Sequence, residues 1–500
     1  MEILVLLVIA ISVLLIFLLL PNKNIRSSTI HHPPGPPRLP IIGNFHQLDP
    51  SCVHRSLWEL SQKYGPLMFI KLGSVATLVI SSAKLAEEVM KNQDLEFCSR
   101  PKLTGLQKFT YNGLDIALAP YGQEWREMRK ICVTHLLSAK RLLMFRPIHE
   151  DEVSRMIRKI SKQAASSDPV INLSETIVSL TSTMICRIAF GKRFDEEGHE
   201  RRRFDGLIRE AQALLVAFFF SDYFPAVGWI DKFTGMLSRL ESIFEKFDSF
   251  HQELIDEHLN PNRPKSMDGD LIDLMLQLQK DGTTSFEITM GNIKAMLMDV
   301  FFAGTDTSAV TIIWAMTAMM KKPTVMRKVQ AEIRGIIGKK QMLDEDDVQN
   351  LPYLKAVVKE TFRLYPALPL LVPRETIAKC TIDGYEIQPE TLVYVNAWGI
   401  ARDPEYWENP DEFLPERFLN STLDVNGQDF HLIPFGAGRR GCPGYSMGKG
   451  AVELALANIL HSFDWELPPG VKKEDIDTDA LPGITMCKKN DLRLVAKLHV

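Results

Sequence analysis

The chain has 500 residues, 45% of them apolar and 24% charged, with a formal net charge of −4. That composition supplies a large core and no basic excess, so nucleic-acid binding drops out as a leading role. The seven cysteines (52, 98, 132, 186, 380, 442 and 487) are odd in number, scattered and without a Cys-x-x-Cys pair, which argues against a disulfide framework or a zinc site and for a reducing compartment.

The chain opens on Ile3 to Leu20, apolar except for Ser12. As a helix this run would be ~27 Å long, enough for a thin bilayer such as that of the endoplasmic reticulum. Glu2 precedes it, and Lys23 and Arg26 follow. The positive-inside rule then puts the N-terminus in the lumen and the remainder in the cytosol. A cleaved signal peptide fits less well, because there is no positive n-region and no small-x-small site after the run. Residues 1–20 are therefore expected to be a membrane anchor. Residues 21–40 carry basic residues and then Pro33-Pro34-Gly35-Pro36-Pro37, a stiff hinge. Length alone allows three domains. No repeat or second linker follows, so 41–500 reads as one domain.

Helical patterns dominate that region. Short β-like runs lie at Leu67–Leu72, Thr77–Ser81, Leu392–Asn396 and Leu492–Leu498. Pro, Gly and Asp punctuate 365–434, which is expected to be loop and short strand. The expected fold is mainly α with a small β-rich lobe.

Trp125 and Arg129 are four residues apart and share one helical face. Alone, they read as a core Trp beside surface arginines. Phe218-Phe219-Phe220 suits a pocket lining, a membrane contact or a core stripe equally. Ile293–Met320 is a long helical pattern crossed by Ala303-Gly304-Thr305-Asp306-Thr307-Ser308. Gly304 inside a helix costs about 1 kcal/mol relative to Ala. Small residues there let a ligand lie against the helix. The Thr307 hydroxyl can bond the Ala303 carbonyl and bend the helix. Glu360 and Arg363, three apart, read alone as an exposed ion pair of little energetic weight.

The most informative stretch runs from Pro434 to Gly444: Pro-Phe-Gly-Ala-Gly-Arg-Arg-Gly-Cys-Pro-Gly. It reads as a tight loop presenting Cys442 just before a helix over Tyr445–Ser462. Arg439, Arg440 and the helix N-terminus would stabilise a thiolate there. Pro443 suits a helix start, where its missing N–H is not needed. Such a sulfur is the axial ligand that a haem iron needs for O₂ activation.

Phe435, Gly438, Arg440, Cys442 and Gly444 complete the pattern Phe-x-x-Gly-x-Arg-x-Cys-x-Gly. It closely resembles the haem-binding loop of the cytochrome P-450 family, and the resemblance extends from about Pro33 to the C-terminus. The resemblance implies haem b with Cys442 as iron ligand and Phe435 packed near it. Trp125, Arg129, Arg374 and Arg440 would meet the haem propionates. Thr307 would hydrogen-bond the oxygen being activated or an ordered water, and Asp306 would relay protons. Glu360, Arg363 and Arg417 would form a buried structural network. The pocket would include Ala303, Leu370, Leu371, Val372 and Ile484. Implied partners are an NADPH-dependent cytochrome P-450 reductase, a lipophilic small molecule and the endoplasmic-reticulum membrane. Basic residues Arg126, Lys130, Lys140, Arg141, Arg439 and Lys449 suit an acidic electron donor.

The motifs look like the plant microsomal A-type group, which modifies phenolics, terpenoids, alkaloids and oximes. Tyr111–Asp115 is faintly similar to the branch that oxidises aldoximes. The implied activity is insertion of one oxygen atom from O₂ into an apolar substrate. Two alternatives stand beside it: a haem-thiolate isomerase or dehydratase needing no O₂, disfavoured by the Asp306–Thr307 pair, and a non-enzymatic haem binder.

Overall fold

Helix Met290–Lys321 is apolar on nearly all sides and organises everything around it. A helix with no polar stripe must be covered all round. Helices Leu173–Phe190, Pro352–Leu364 and Tyr445–Ser462 supply much of that cover. The computed structural model describes residues 31–194, 206–207, 210–215, 217–263, 269–282, 284, 286–338 and 340–499. The anchor expected at 1–20 lies outside them. Leu173–Phe190 and Met290–Lys321 are each long and apolar enough to cross a membrane, but both are mostly buried in the protein and serve as core helices.

The central helix begins three residues before its expected start. Thr289 caps it, accepting from the Asn292 N–H, while the Asn292 side chain accepts from the Thr289 N–H. A Thr-x-x-Asn box satisfies the same orphan donors as the usual Thr-x-x-Glu. The helix then runs unbroken through Ala303–Ser308 to Lys321, where Pro323 starts the next one.

The β-rich lobe is a four-stranded sheet. Its strands are β1 (Leu67–Leu72), β2 (Val75–Ile80), β4 (Arg374–Glu375) and β7 (Leu392–Val395), in the order β1-β2-β7-β4. β1 and β2 form an antiparallel hairpin with Leu72 opposite Val75. β7 lies parallel to β2, with Thr77 opposite Leu392, and antiparallel to β4, with Arg374 opposite Val393. A second sheet joins β3 (Val170–Asn172), β9 (Arg493–Leu498) and β8 (Phe463–Glu466), and a small hairpin joins β5 (Cys380–Ile382) to β6 (Tyr385–Ile387). The architecture is mainly helical with small sheets. Each strand run named from sequence appears, shifted by at most two residues at an end.

The proline-rich hinge is docked rather than free. The Phe69 N–H on β1 donates to the Pro34 carbonyl at 2.9 Å, and His32 stacks on the Phe69 ring at 4.5 Å. Asn44 adds a bond to the Pro36 carbonyl. This orders the chain from the hinge onward against the sheet.

Candidate functional site

Cys442 ends a loop that hydrogen bonds draw tight. Its N–H donates to the Phe435 carbonyl at 2.9 Å, and the Gly441 N–H donates to the Gly438 carbonyl at 3.0 Å. Gly438 sits at φ +68°, and a Cβ there would lie 2.1 Å from the Met90 carbonyl oxygen. Only glycine meets both demands. Asp94 locks the loop from outside: it accepts from the Arg439 N–H and from Arg374 Nη1, each at 2.9 Å. Arg374 Nη2 holds the Ala437 carbonyl at 3.0 Å, and Arg129 Nη2 holds the Gly441 carbonyl.

Two residues near this loop face open space deep in the fold. Cys442 is exposed although it lies deep within the protein. Ala303 is exposed in mid-helix, between buried Phe301 and buried Thr305. Accessible surface at both sites is what an interior void produces. The helix following Cys442 approaches the central helix at two levels. Met447 lines one small cavity with Val300, and a Cβ on Gly448 would lie 3.5 Å from Ser308 Oγ. These contacts bracket Ala303–Thr307 along about 12 Å of helix.

On that stretch Thr307 Oγ1 donates to the Ala303 carbonyl at 2.6 Å, and Thr311 repeats the pattern onto the Thr307 carbonyl. Gly304 has a different use from the one its sequence suggests. A Cβ there would land 2.4 Å from Ile185 Cδ1. Its missing side chain admits the neighbouring helix Leu173–Phe190, and Ala303, one residue earlier, is the exposed position on this stretch. Asp306 accepts a hydrogen bond from Gln212 Nε2. Burial pushes its carboxyl up to about 6.

The electrostatics of Cys442 correct one expectation. Burial pushes the thiol up, and the Gly444 N–H and the Arg129 guanidinium pull it part of the way back. Arg439 and Arg440, expected beside the sulfur, do not act on it. Arg439 is largely exposed and lies 3.6 Å from Asp94. Arg440 is buried and donates to the carbonyls of Cys98 (2.7 Å), Ile116 (3.4 Å) and Ala119 (2.6 Å), with its guanidinium 4.0 Å over the Trp125 ring. Neighbouring arginines in sequence diverge here because Gly438–Arg440 is a 3-10 turn, in which successive side chains point about 120° apart.

Trp125 Nε1–H donates to the Ile116 carbonyl at 2.9 Å. That is its single donor, so contact with a carboxylate would require exchanging this bond. Leu371 adopts φ +54° and packs toward the Cys442 loop. Leu370 packs with Leu57, Met68 and Ile70 on the sheet. The Val372 carbonyl accepts from Arg100 Nη1 at 2.8 Å. Ile484 rides on a loop tied to the central helix by Trp314 Nε1–H, which donates to the Met486 carbonyl at 2.7 Å. Phe218-Phe219-Phe220 splits: Phe219 is fully buried, whereas Phe218 is exposed.

Glu360 and Arg363 are both fully buried and bidentate, at 2.7 and 2.9 Å, and Arg417 Nε joins Glu360 Oε1 at 3.1 Å. Sequence reasoning missed Asp94, Arg100 and Gln212. Each acts on a partner far away in the chain, and no local motif marks them.

The donor set suits a haem. One thiol is exposed at the end of its loop, the helix after it packs on the central helix on both sides of the small-residue stretch, and guanidinium groups hold the loop. The comparisons agree. A family model described as Cytochrome P450 matches residues 33–494. The chain belongs to the cytochrome P450 family. It is therefore a member of a monooxygenase family whose cofactor is haem iron. It is 51% identical to 5-OH-xanthotoxin synthase of Pastinaca sativa, covering 99% of this chain and 98% of that protein. It is 49% identical to 6,7,8-trihydroxycoumarin synthase of the same plant, with the same coverage. Among solved structures, a zebra fish cytochrome P450 with progesterone superposes with a TM-score of 0.75 at 25% identity, over 89% of this chain and 99% of that one. Neither plant name concerns an oxime.

Proposed function

We propose that this P450 is an endoplasmic-reticulum enzyme that hydroxylates a lipophilic phenolic of coumarin type, with Cys442 as axial ligand of haem b. NADPH supplies the electrons through a flavoprotein cytochrome P-450 reductase. The observation that carries the reading is the exposed Cys442 thiol inside the fold, near the Ala303–Thr307 face. The substrate class is supported by the names of the two plant relatives at 49–51% identity.

Bound there, haem supplies O₂ activation and transfer of one oxygen atom. The chain supplies the surroundings. Arg129 and the Gly444 N–H favour negative charge on Sγ. Phe435 packs beside the loop, edge-on to Phe362 at 5.0 Å. Arg129, Arg374, Trp125 and Arg440 are assigned to the propionate edge. Asp306, raised to about 6 by burial, holds or releases a proton near neutrality, as a relay acid must. Thr307 Oγ1 gives its hydrogen to the Ala303 carbonyl and so presents its lone pairs to a water.

The anchor at Ile3–Leu20 would place a nearby apolar face on lipid. Ile41, Phe218, Trp229 and Phe233 are exposed there, Phe233 at 83%, and Phe218 meets Phe45 near the hinge at 5.7 Å. Such patches mark interaction surfaces. Among the residues expected to dock the reductase, Arg126, Lys130, Lys140 and Arg439 are exposed, while Arg141 bonds the Gly269 carbonyl.

The test is turnover by microsomes holding the full chain and a reductase, on a panel of coumarins, terpenoids and oximes. A hydroxylated coumarin formed only with NADPH and O₂ is the expected result. Product from another class alone would overturn the substrate assignment, and product without O₂ would overturn the reaction. Thr307→Ala is expected to retain substrate-induced spectral shifts while diverting reducing equivalents to hydrogen peroxide. Unchanged coupling of NADPH to product would remove Thr307 from the proton path.

A further inference from the structure

Two aspartates outside the site described above face each other beside it. Asp115 lies in the loop between helices Thr104–Phe109 and Gln123–Ile131 and is 2% exposed. Asp299 lies on the central helix, one turn before Ala303. Asp299 Oδ2 accepts the Ile116 N–H at 2.7 Å, and the Ala117 N–H also points to this carboxyl. Asp115 Oδ2 accepts the Leu118 N–H at 2.8 Å. Its other oxygen, Oδ1, is buried with no N–H or O–H partner. The two carboxyls lie within hydrogen-bond reach of each other.

Asp115 is buried and Asp299 half-buried, and two carboxylates at that range resist being ionised together. One proton between them removes the repulsion and satisfies the orphaned oxygen. We propose that Asp115 and Asp299 form a one-proton carboxyl pair that latches the 110–119 loop onto the central helix beside Ala303. Both are positioning residues. That the latched loop is a wall of the substrate pocket rests on the function proposed above; the latch itself does not.

The loop has reason to need a latch. Tyr111, Asn112 and Gly113 stand in succession at φ +53°, +60° and +89°. Left-handed non-glycine residues persist only where surroundings hold them. The same loop supplies the Ile116 and Ala119 carbonyls to Arg440, the Ile116 carbonyl to Trp125, and the Ala117 carbonyl to Arg100. Release of the latch would therefore disturb the haem-side guanidinium groups.

The surrounding charges place the proton. Arg440 and Arg100 face Asp115 and favour its ionised form, against a burial that pushes it up to about 6. Asp299 is raised much further by burial and by Asp115, with Arg129 and Cys132 as its other titratable neighbours. Of the two, Asp299 is the one that holds the shared proton. The raised value means that the neutral form is retained at lower pH, and the latch is lost as pH rises through it.

Amide hydrogen exchange on the full-length haem-loaded protein tests this, corrected for intrinsic chemistry, from about pH 6.5 to about pH 9. In the wild type, protection of Ile116 and Leu118 should fall about tenfold or more across that range. Asp299→Asn should stay flat, because a carboxamide donates a hydrogen that alkali does not remove. Asp299→Leu should lose protection at every pH. Matching profiles for wild type and Asp299→Asn would overturn the proposal, as would wild-type protection in Asp299→Leu. If the leucine variant fails to accumulate, the first comparison decides. No product is measured, so failure of the coumarin assay and failure of the latch are separate results.

Discussion

Cys442→Ala should abolish the red-shifted Soret band of the ferrous CO complex and all turnover, while leaving helix content and solubility intact. The asymmetry follows from what the side chain touches. Sγ accepts one N–H, from Gly444, and faces open space. Removing it deletes little packing. The loop is held by other groups: the Cys442 N–H on the Phe435 carbonyl, Arg374 on Ala437 and Asp94 on Arg439. Without a metal, burial favours the neutral thiol, so a bound cation is what draws the proton off. Cys442→Ser supplies an alcohol with no comparable tendency to ionise and should behave like alanine. Far-ultraviolet circular dichroism and CO-difference spectra on the same sample check both halves. A normal band in either variant would remove Cys442 as ligand.

Much of this fold was legible because its signals are local. Leu67–Leu72 is a short, mostly apolar run and is a strand, and Tyr445–Ser462 begins after Pro443 and Gly444 and is a helix. The Cys442 loop is local too: glycines, a cysteine and a helix start within eleven residues. What escaped depends on partners that the chain brings in from afar. Asp94 holds Arg374 across 280 residues, and nothing in its own neighbourhood marks it. Gln212 meets Asp306 only because its segment folds over the central helix.

Gly304 shows a subtler limit. A small residue in a long helix opens space, but sequence does not say who fills it; here Ile185 does. Arg440 shows another. Its charge next to a cysteine suggested a thiolate partner. Three carbonyls from two segments, Cys98 and the Ile116–Ala119 stretch, claim its guanidinium instead, and they are invisible in sequence because every residue has one.

Arg363→Lys and Glu360→Gln should each reduce the yield of haem-loaded protein by about tenfold or more, since removing one partner of a buried ion pair costs about 3–5 kcal/mol. Arg363 uses every donor it has. Nε and Nη2 bind Glu360, Nη1 binds the Ala401 and Pro410 carbonyls, and Nη2 also binds the Glu412 carbonyl. Glu360 in turn accepts from Arg363, the Leu414 N–H and Arg417. Lysine offers three donors from one point and cannot reproduce the fork. Glutamine keeps the shape but leaves a buried guanidinium without its counter-charge. The damage should reach the haem, because this pair fixes the irregular 401–417 stretch that leads into the Cys442 loop, and irregular backbone has no ladder of its own to fall back on. Arg417→Ala is the internal control. Its side chain is 13% exposed, and it adds one bond to a carboxylate that Arg363 already neutralises. Its effect should be several-fold smaller. Holoprotein per total expressed protein, read from CO spectra against immunoblots, measures all three. Wild-type yield from Arg363→Lys would show that the network is dispensable and that other contacts hold the loop.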